Sequence, residues 1–253
     1  MIRGLHTAFW VMALAIIGQN AQAQPLAPGH SMQDIGRFAI DKTEVSIGAF
    51  GKFAAATRLR TKAERDGGGL VYDAGWTRKA GWNWRAPFGK AAADNEPAVH
   101  VTFDEAKAYC VWAGKRLPTD REWMLAAYTE TRPNAPAPFV RGQTYPYPTG
   151  IKPEGANCLG DCGATPAIDY SAVLTRGKGH APVGATGAGV NGLYDMGANV
   201  WEWVDTGSGE EKITRGGSWW YGAAQMHSSY RAGKLPGMAV VYIGFRCARD
   251  IRR

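Results

Sequence analysis

Gly192-Leu193-Tyr194-Asp195-Met196-Gly197-Ala198-Asn199-Val200-Trp201-Glu202-Trp203, followed by Arg215-Gly216-Gly217-Ser218-Trp219-Trp220-Tyr221, is the stretch whose reading decides the fold. Both runs lie in a glycine-rich half, from residue 157 onward, whose regular pieces are short strand-like runs such as Val240-Val241-Tyr242-Ile243. Tryptophan is dense throughout: Trp76, Trp82, Trp84, Trp112, Trp123, Trp201, Trp203, Trp219 and Trp220 all fall after residue 23. With 33 glycines in the chain, these indoles predict irregular segments anchored by large aromatic side chains. The same richness occurs in carbohydrate-binding surfaces, so a binding role stays open.

The amino terminus reads as a secretory leader. Arg3 supplies the positive end, Ala8 to Gly18 form a short apolar core, and Ala21-Gln22-Ala23 is an Ala-x-Ala cleavage site. An apolar stretch of about eleven residues is well short of the roughly twenty that span a bilayer. The expectation is a periplasmic or secreted protein cleaved near Ala23, with no membrane span. Removing residues 1–23 removes one Arg and no acid, so the formal charge of +7 falls to +6. Lys and Arg are scattered with no run of five, which predicts a solvated basic surface and no nucleic-acid partner. Residues 24–253 fit one domain.

Local signals are strongest in the first half. Phe38 to Val45 has strand character, and Ser46 is positioned to cap a helix with Ile47, Phe50, Phe53 and Ala54 on one apolar face. Thr102-Phe103-Asp104-Glu105 and Thr119-Asp120-Arg121-Glu122 are capping boxes, predicting two short helices joined by Gly-Lys-Arg-Leu-Pro. Residues 58–98 show no period and read as one long ordered loop held by its tryptophans. Residues 25–32 read as a loose arm, and 129–153 as a Pro-rich surface loop.

Four cysteines, Cys110, Cys158, Cys162 and Cys247, all follow the leader, and an even count in an exported chain favours disulfides. Gly160 permits a tight Cys158–Cys162 loop, which leaves Cys110 for Cys247. A Cys-x3-Cys zinc site is the alternative, with no second ligand pair nearby.

The segments quoted above, with Lys42-Thr43-Glu44-Val45, Pro97 to Val101, Tyr109 to Trp123, Asn157-Cys158, Ala181-Pro182-Val183-Gly184 and Gly244-Phe245-Arg246-Cys247, occur in an order that resembles the formylglycine-generating enzyme (sulfatase-modifying factor) family. The likeness runs from about Phe38 to Asp250. It implies an α+β, loop-rich variant of the C-type-lectin-like fold, with short strands and few short helices. Cys110 and Cys247 match family positions that are disulfide-bonded. Family members bind calcium at positions matching the Asp195 and Glu202 side chains and the Ala198 and Val200 carbonyls, a hard-oxygen set suited to that ion. A second family calcium site begins at the position of Asn157, with no clear carboxylate partner here.

The resemblance fails at the family's reactive cysteines. Counted from Ser218, these fall on Tyr221 and on Met226, or on His227 if counted from Arg231. In the enzymes that thiolate pair binds copper and activates oxygen; Tyr, Met and His supply no bis-thiolate site, so copper is not expected there. His30, His100, His180 and His227 form no His-x3-His or His-x-Glu arrangement for iron, and the family's iron enzymes use an added helical domain that this chain has no room for.

Two functions follow. One is an exported maturation or accessory factor for a secreted protein or peptidic metabolite, similar to the family's pyoverdine-maturation and nitrite-reductase-accessory members. Ser218, Tyr221, His227, Tyr230 and Arg231 would then line the pocket, with His227 suited to proton transfer. The other is a lectin-like binding module with Trp219, Trp220 and Tyr221 as an aromatic platform for a peptide or glycan. Strand alternation across Trp219 and Trp220 predicts that at most one of them enters a given core.

Overall fold

Hydroxyl caps start every α-helix in the computed structural model, which describes residues 31–206 and 209–251. The proposed leader therefore lies outside the described residues. Ser46 Oγ accepts from Ala49 N and opens α1 (Ile47–Thr57), which buries Ile47, Phe50, Phe53 and Ala54 as the spacing predicts. Thr61 opens α2 (Lys62–Arg65), Thr102 opens α3 (Phe103–Trp112) and Thr119 opens α4 (Asp120–Tyr128), each with a complete capping box. The boxes also tie helices together: Glu105, which closes the α3 box, accepts Lys62 N at the start of α2. Glu122 of α4 is held by both terminal nitrogens of Arg116 at 2.7 Å.

The strands are short and form three small sheets. β1 (Met32–Asp34), β2 (Phe38–Asp41) and β9 (Ala248–Asp250) pair antiparallel, placing Phe38 opposite Asp250 and joining the two ends of the domain. β3 (Gly68–Tyr72) and β4 (Trp76–Ala80) form a hairpin. β5 (Trp201–Val204), β6 (Lys212–Arg215), β7 (Ala232–Lys234) and β8 (Ile243–Gly244) form a sheet in the order β7-β6-β5-β8, with only the β5–β8 pair parallel. Among the described residues no helix is long and apolar enough to cross a membrane.

Three sequence expectations are corrected. Residues 58–98 are not one loop, because they contain α2 and the β3–β4 hairpin. The hairpin is hard to read because β4 is exposed along nearly all its length, so it has no apolar alternation. Its Trp76 is 46% exposed and meets Tyr72 on the hairpin surface, whereas Trp82 and Trp84 are buried as expected. The arm expected over 25–32 ends in β1, which pairs from Met32 onward. Finally, Trp219 and Trp220 both enter one core, with ring centroids 5.2 Å apart. After β6 the chain turns at Gly216 and Gly217, both at positive φ, so strand alternation does not apply to the indoles that follow. A Cβ on Gly216 would lie 2.8 Å from Met196 O and 3.2 Å from the Trp123 ring, which leaves no room for a side chain there.

Both expected disulfides are present, Cys110–Cys247 and Cys158–Cys162, so the zinc alternative has no free thiols. The first joins α3 to the segment after β8 across 137 residues, and the second closes a separation of 4. Chain-entropy arguments assign about 5 kcal/mol to the long closure and about 2 kcal/mol to the short one. Cys110→Ser should therefore lower the denaturation midpoint clearly more than Cys158→Ser, read by urea titration at neutral pH. Equal shifts would contradict this ranking.

His100 is buried at positive φ, its ring held between Pro87 O and Ala239 O. The ring rests on Gly69, where a Cβ would come within 2.0 Å of Nδ1. Burial pushes its pKa from 6.5 down to about 4. As pH falls, the unfolded chain takes up this proton first. The stabilisation from neutral His100 is therefore complete above its unfolded pKa and is lost as pH drops toward the folded value. His100→Asn, which tolerates the left-handed backbone, should remove up to about 1.4 kcal/mol per pH unit of the stability slope in that window. Urea melts at pH 7, 6 and 5 on both proteins give the comparison, and parallel slopes would refute it.

Candidate functional site

β5 is buried on both faces and sends Glu202 one way and Trp201 and Trp203 the other. On the Glu202 side, Arg246 Nε lies 2.9 and 2.8 Å from the two carboxylate oxygens, and its Nη2 lies 2.7 Å from Oε1. Trp123 Nε1 donates to Glu202 Oε2 at 2.7 Å. Arg246 also donates to Asp41 O and Tyr194 O, so one guanidinium links β2, β5 and the Gly192–Val200 loop. Burial works against the Arg246 charge, but the Glu202 carboxylate more than offsets it and the pKa is raised.

The residues matched to calcium surround this pair. Asp195 accepts from Gly184 N and Thr186 Oγ1, and burial pushes its carboxyl up. Glu44 accepts from Asn199 Nδ2 and Val200 N, and burial with the nearby Asp195 and Glu202 charges raises it well above the ordinary range. Every carboxylate oxygen of Asp195 and Glu202 thus already has a protein donor. Among the described residues no group of three His, Cys, Asp or Glu side chains is placed to hold a metal. As arranged, the Asp195 and Glu202 side chains do not fit a calcium ion, because their oxygens are taken by protein donors and the Glu202 charge is already opposed by Arg246. At the second family position, the Asn157 carbonyl accepts Asn199 N, and Asn157 Nδ2 donates to Gly179 O and Asn199 Oδ1.

On the other face of β5, Tyr221 and Tyr230 pack over Trp201, with centroid distances of 6.1 and 5.8 Å. Tyr221 donates to the hydroxyl of Tyr242 at 3.4 Å, and Tyr242 stacks on Trp220. Burial, then the Tyr221 hydrogen bond, raises the Tyr242 phenol far above its usual range, so it stays neutral. The Arg176 guanidinium lies 6.0 Å from the Tyr221 ring centroid. Arg215 grips Asp120 through Nε and Nη2 and donates to Tyr230 O at 2.6 Å, fixing the Tyr230 backbone. The result is a half-buried tyrosine wall with one cation at its rim, able to hold an aromatic or amphipathic group and to offer phenolic hydrogen bonds.

The five expected pocket residues divide. Tyr221 and Tyr230 meet over Trp201. Ser218 is buried beneath, its Oγ accepting Trp220 N. His227 faces elsewhere, its ring against Tyr147 and its Nδ1 on Ser229. Arg231 is exposed. Met226 is buried in a separate cluster with Cys158 and Cys162. The other described histidines are structural: His180 Nε2 pairs with Glu96 at 2.7 Å, and His100 is held by carbonyls. Tyr242 and Arg176 escaped the sequence reading, the first because it sits in an apolar run and the second because it lies in an unpatterned loop.

A cavity of about 340 Å³ adjoins the wall, since Leu159, which lines it, donates N–H to Tyr221 O at 2.9 Å. Cys158, Lys178 and Trp219 also face this cavity.

The chain belongs to the sulfatase-modifying factor family: the Sulfatase-modifying factor enzyme 1-like domain matches residues 13–251. The chain is 28% identical to the formylglycine-generating enzyme of Mus musculus, over 84% of this chain and 66% of that protein, just under two thirds of its length. It is 31% identical to the inactive C-alpha-formylglycine-generating enzyme 2 of Bos taurus, over 85% of this chain and 78% of that one. The structure of PvdO from Pseudomonas aeruginosa shares the fold, with a TM-score of 0.56 at 23% identity over 85% of this chain and 80% of that one.

If the Glu202–Arg246 pair and not an ion holds this region, chelator and added calcium should leave the thermal midpoint unchanged. Arg246→Met should cost roughly 3–5 kcal/mol by stranding the Glu202 charge. A calcium-dependent rise in the midpoint would overturn the assignment.

Proposed function

We propose that this protein is an exported accessory or maturation factor that engages a secreted protein or peptidic metabolite at the tyrosine wall over Trp201, without cysteine-dependent formylglycine formation. The observation that carries this reading is the fate of sulfur. All four cysteines of the chain are paired in disulfides. The positions matching the family's reactive cysteines hold Tyr221 in the wall and either Met226, wholly buried in another cluster, or His227, whose ring packs on Tyr147. No thiolate pair stands beside Trp201 to bind copper or activate oxygen. Export is supported by the leader-like residues 1–23 and by the two disulfides.

A lectin-like binding module is the second reading, with its surface moved. Trp219 and Trp220 are buried and form no platform. Tyr72 and Trp76, 45% and 46% exposed with ring centroids 5.3 Å apart, present the accessible aromatic pair on the hairpin.

The protein should leave the cysteine of a sulfatase-motif peptide unmodified under oxygen and reductant, by mass spectrometry against a no-protein control. Conversion above that control would refute the primary reading. With a client in hand, Tyr221→Ala should lower turnover or capture at least about tenfold, whereas Trp76→Ala should leave both unchanged. The reverse ranking would favour the lectin-like module.

A further inference from the structure

The two disulfides occupy unlike surroundings. Cys110 and Cys247 have no exposed surface and join core elements. Cys158 is 7% exposed and lines the 340 Å³ cavity, whereas Cys162 is 1% exposed and does not line it. Cys162 Sγ instead rests 3.9 Å from the thioether sulfur of Met226. The bridge thus has one cysteine at the cavity wall and one sulfur buried against a soft, polarisable neighbour. Its loop spans a separation of only 4 and holds Gly160 at positive φ, so opening it releases little of the fold. No carboxylate lines the cavity, while Lys178 does, and the acid inside the loop, Asp161, accepts Ala223 N. This balance favours the approach of a thiolate.

We propose that Cys158–Cys162 is a thiol–disulfide exchange centre that oxidises a dithiol entering this cavity, an activity separate from anything the tyrosine wall does. A thiolate of the dithiol attacks Cys158 Sγ, and the Cys158–Cys162 bond breaks. Cys162 leaves with the electron pair as a thiolate and takes up a proton. The second thiolate of the dithiol then attacks the sulfur bound to Cys158, closing the visitor's own disulfide and releasing Cys158 as a thiolate that is protonated in turn. Two electrons and two protons pass from the dithiol to the cysteine pair. The geometry fixes the order: Cys158 is attacked and Cys162 is the leaving group.

The test uses the full oxidised protein with reduced dithiothreitol as the dithiol, poised against its oxidised form and quenched with an alkylating agent for peptide mapping. Cys158 and Cys162 should become labelled at potentials where Cys110 and Cys247 stay bonded and near-ultraviolet circular dichroism is unchanged. One equivalent of oxidised dithiothreitol should appear per chain. In Cys162→Ser the freed Cys158 should form a mixed disulfide with oxidised glutathione at least about tenfold faster than the freed Cys162 does in Cys158→Ser, because exchange follows access. Met226→Leu should preserve that ranking, which separates access from any need for the thioether. Simultaneous opening of both bridges, or equal or reversed rates in the two serine variants, would overturn the proposal.

Discussion

The buried pair between Arg246 and Glu202 is the interaction on which the rest of the structure depends. A guanidinium sealed from water is tolerable only with its charge opposed and its hydrogen bonds satisfied. Here Glu202 supplies the charge, while Asp41 O accepts from Nη1 and Tyr194 O from Nη2. Those acceptors lie in β2 and the glycine-rich loop, and Trp123 of α4 completes the carboxylate's shell. One polar cluster therefore fixes the relative positions of five segments: β2, α4, the glycine-rich loop, β5 and the stretch that carries Arg246. Breaking it would strand a charge in a region where Glu44 and Asp195 are already pushed toward neutrality.

A fold with strands this short gains little order from its ladders. Indoles and the long disulfide perform that task. Trp123, Trp201, Trp203 and Trp219 are among the largest fully buried side chains, and the Cys110–Cys247 bridge pins α3 to the segment after β8. Glycines at positive φ let the chain pass between them, as Gly216 does beneath Trp123. The Arg-Gly-Gly-Ser motif is accordingly a scaffold element. Its arginine clamps α4 through Asp120 and sets the Tyr230 backbone, and its serine is buried under the tyrosine wall.

Tyrosine stands at one of the places where the family pattern puts a reactive sulfur. Tyr221 stands where the first reactive cysteine is expected and joins Tyr242 and Tyr230 around Trp201. The second is expected at Met226, which turns to the Cys158–Cys162 bridge, or at His227, which turns to Tyr147. The wall and the bridge are nonetheless neighbours, joined by the Leu159 to Tyr221 hydrogen bond.

The sequence alone determined what depends on neighbours along the chain. Caps at Ser46, Thr102 and Thr119 announced α1, α3 and α4, because a cap is a contact across three residues. The short spacing of Cys158 and Cys162 left Cys110 for Cys247, and the ordered motifs announced the family. Tertiary structure decided the rest. The β3–β4 hairpin was illegible because β4 lies exposed and carries no alternation. The burial of both Trp219 and Trp220 depends on a turn whose direction is set by Met196 and Trp123, residues distant in sequence. Whether Glu202 faces an ion or a guanidinium depends on Arg246, 44 residues away. Which cysteine of the short bridge lines the cavity and which rests on Met226 depends on segments far apart in the chain. Each is a contact between segments that only the folded chain brings together, and no local pattern encodes it.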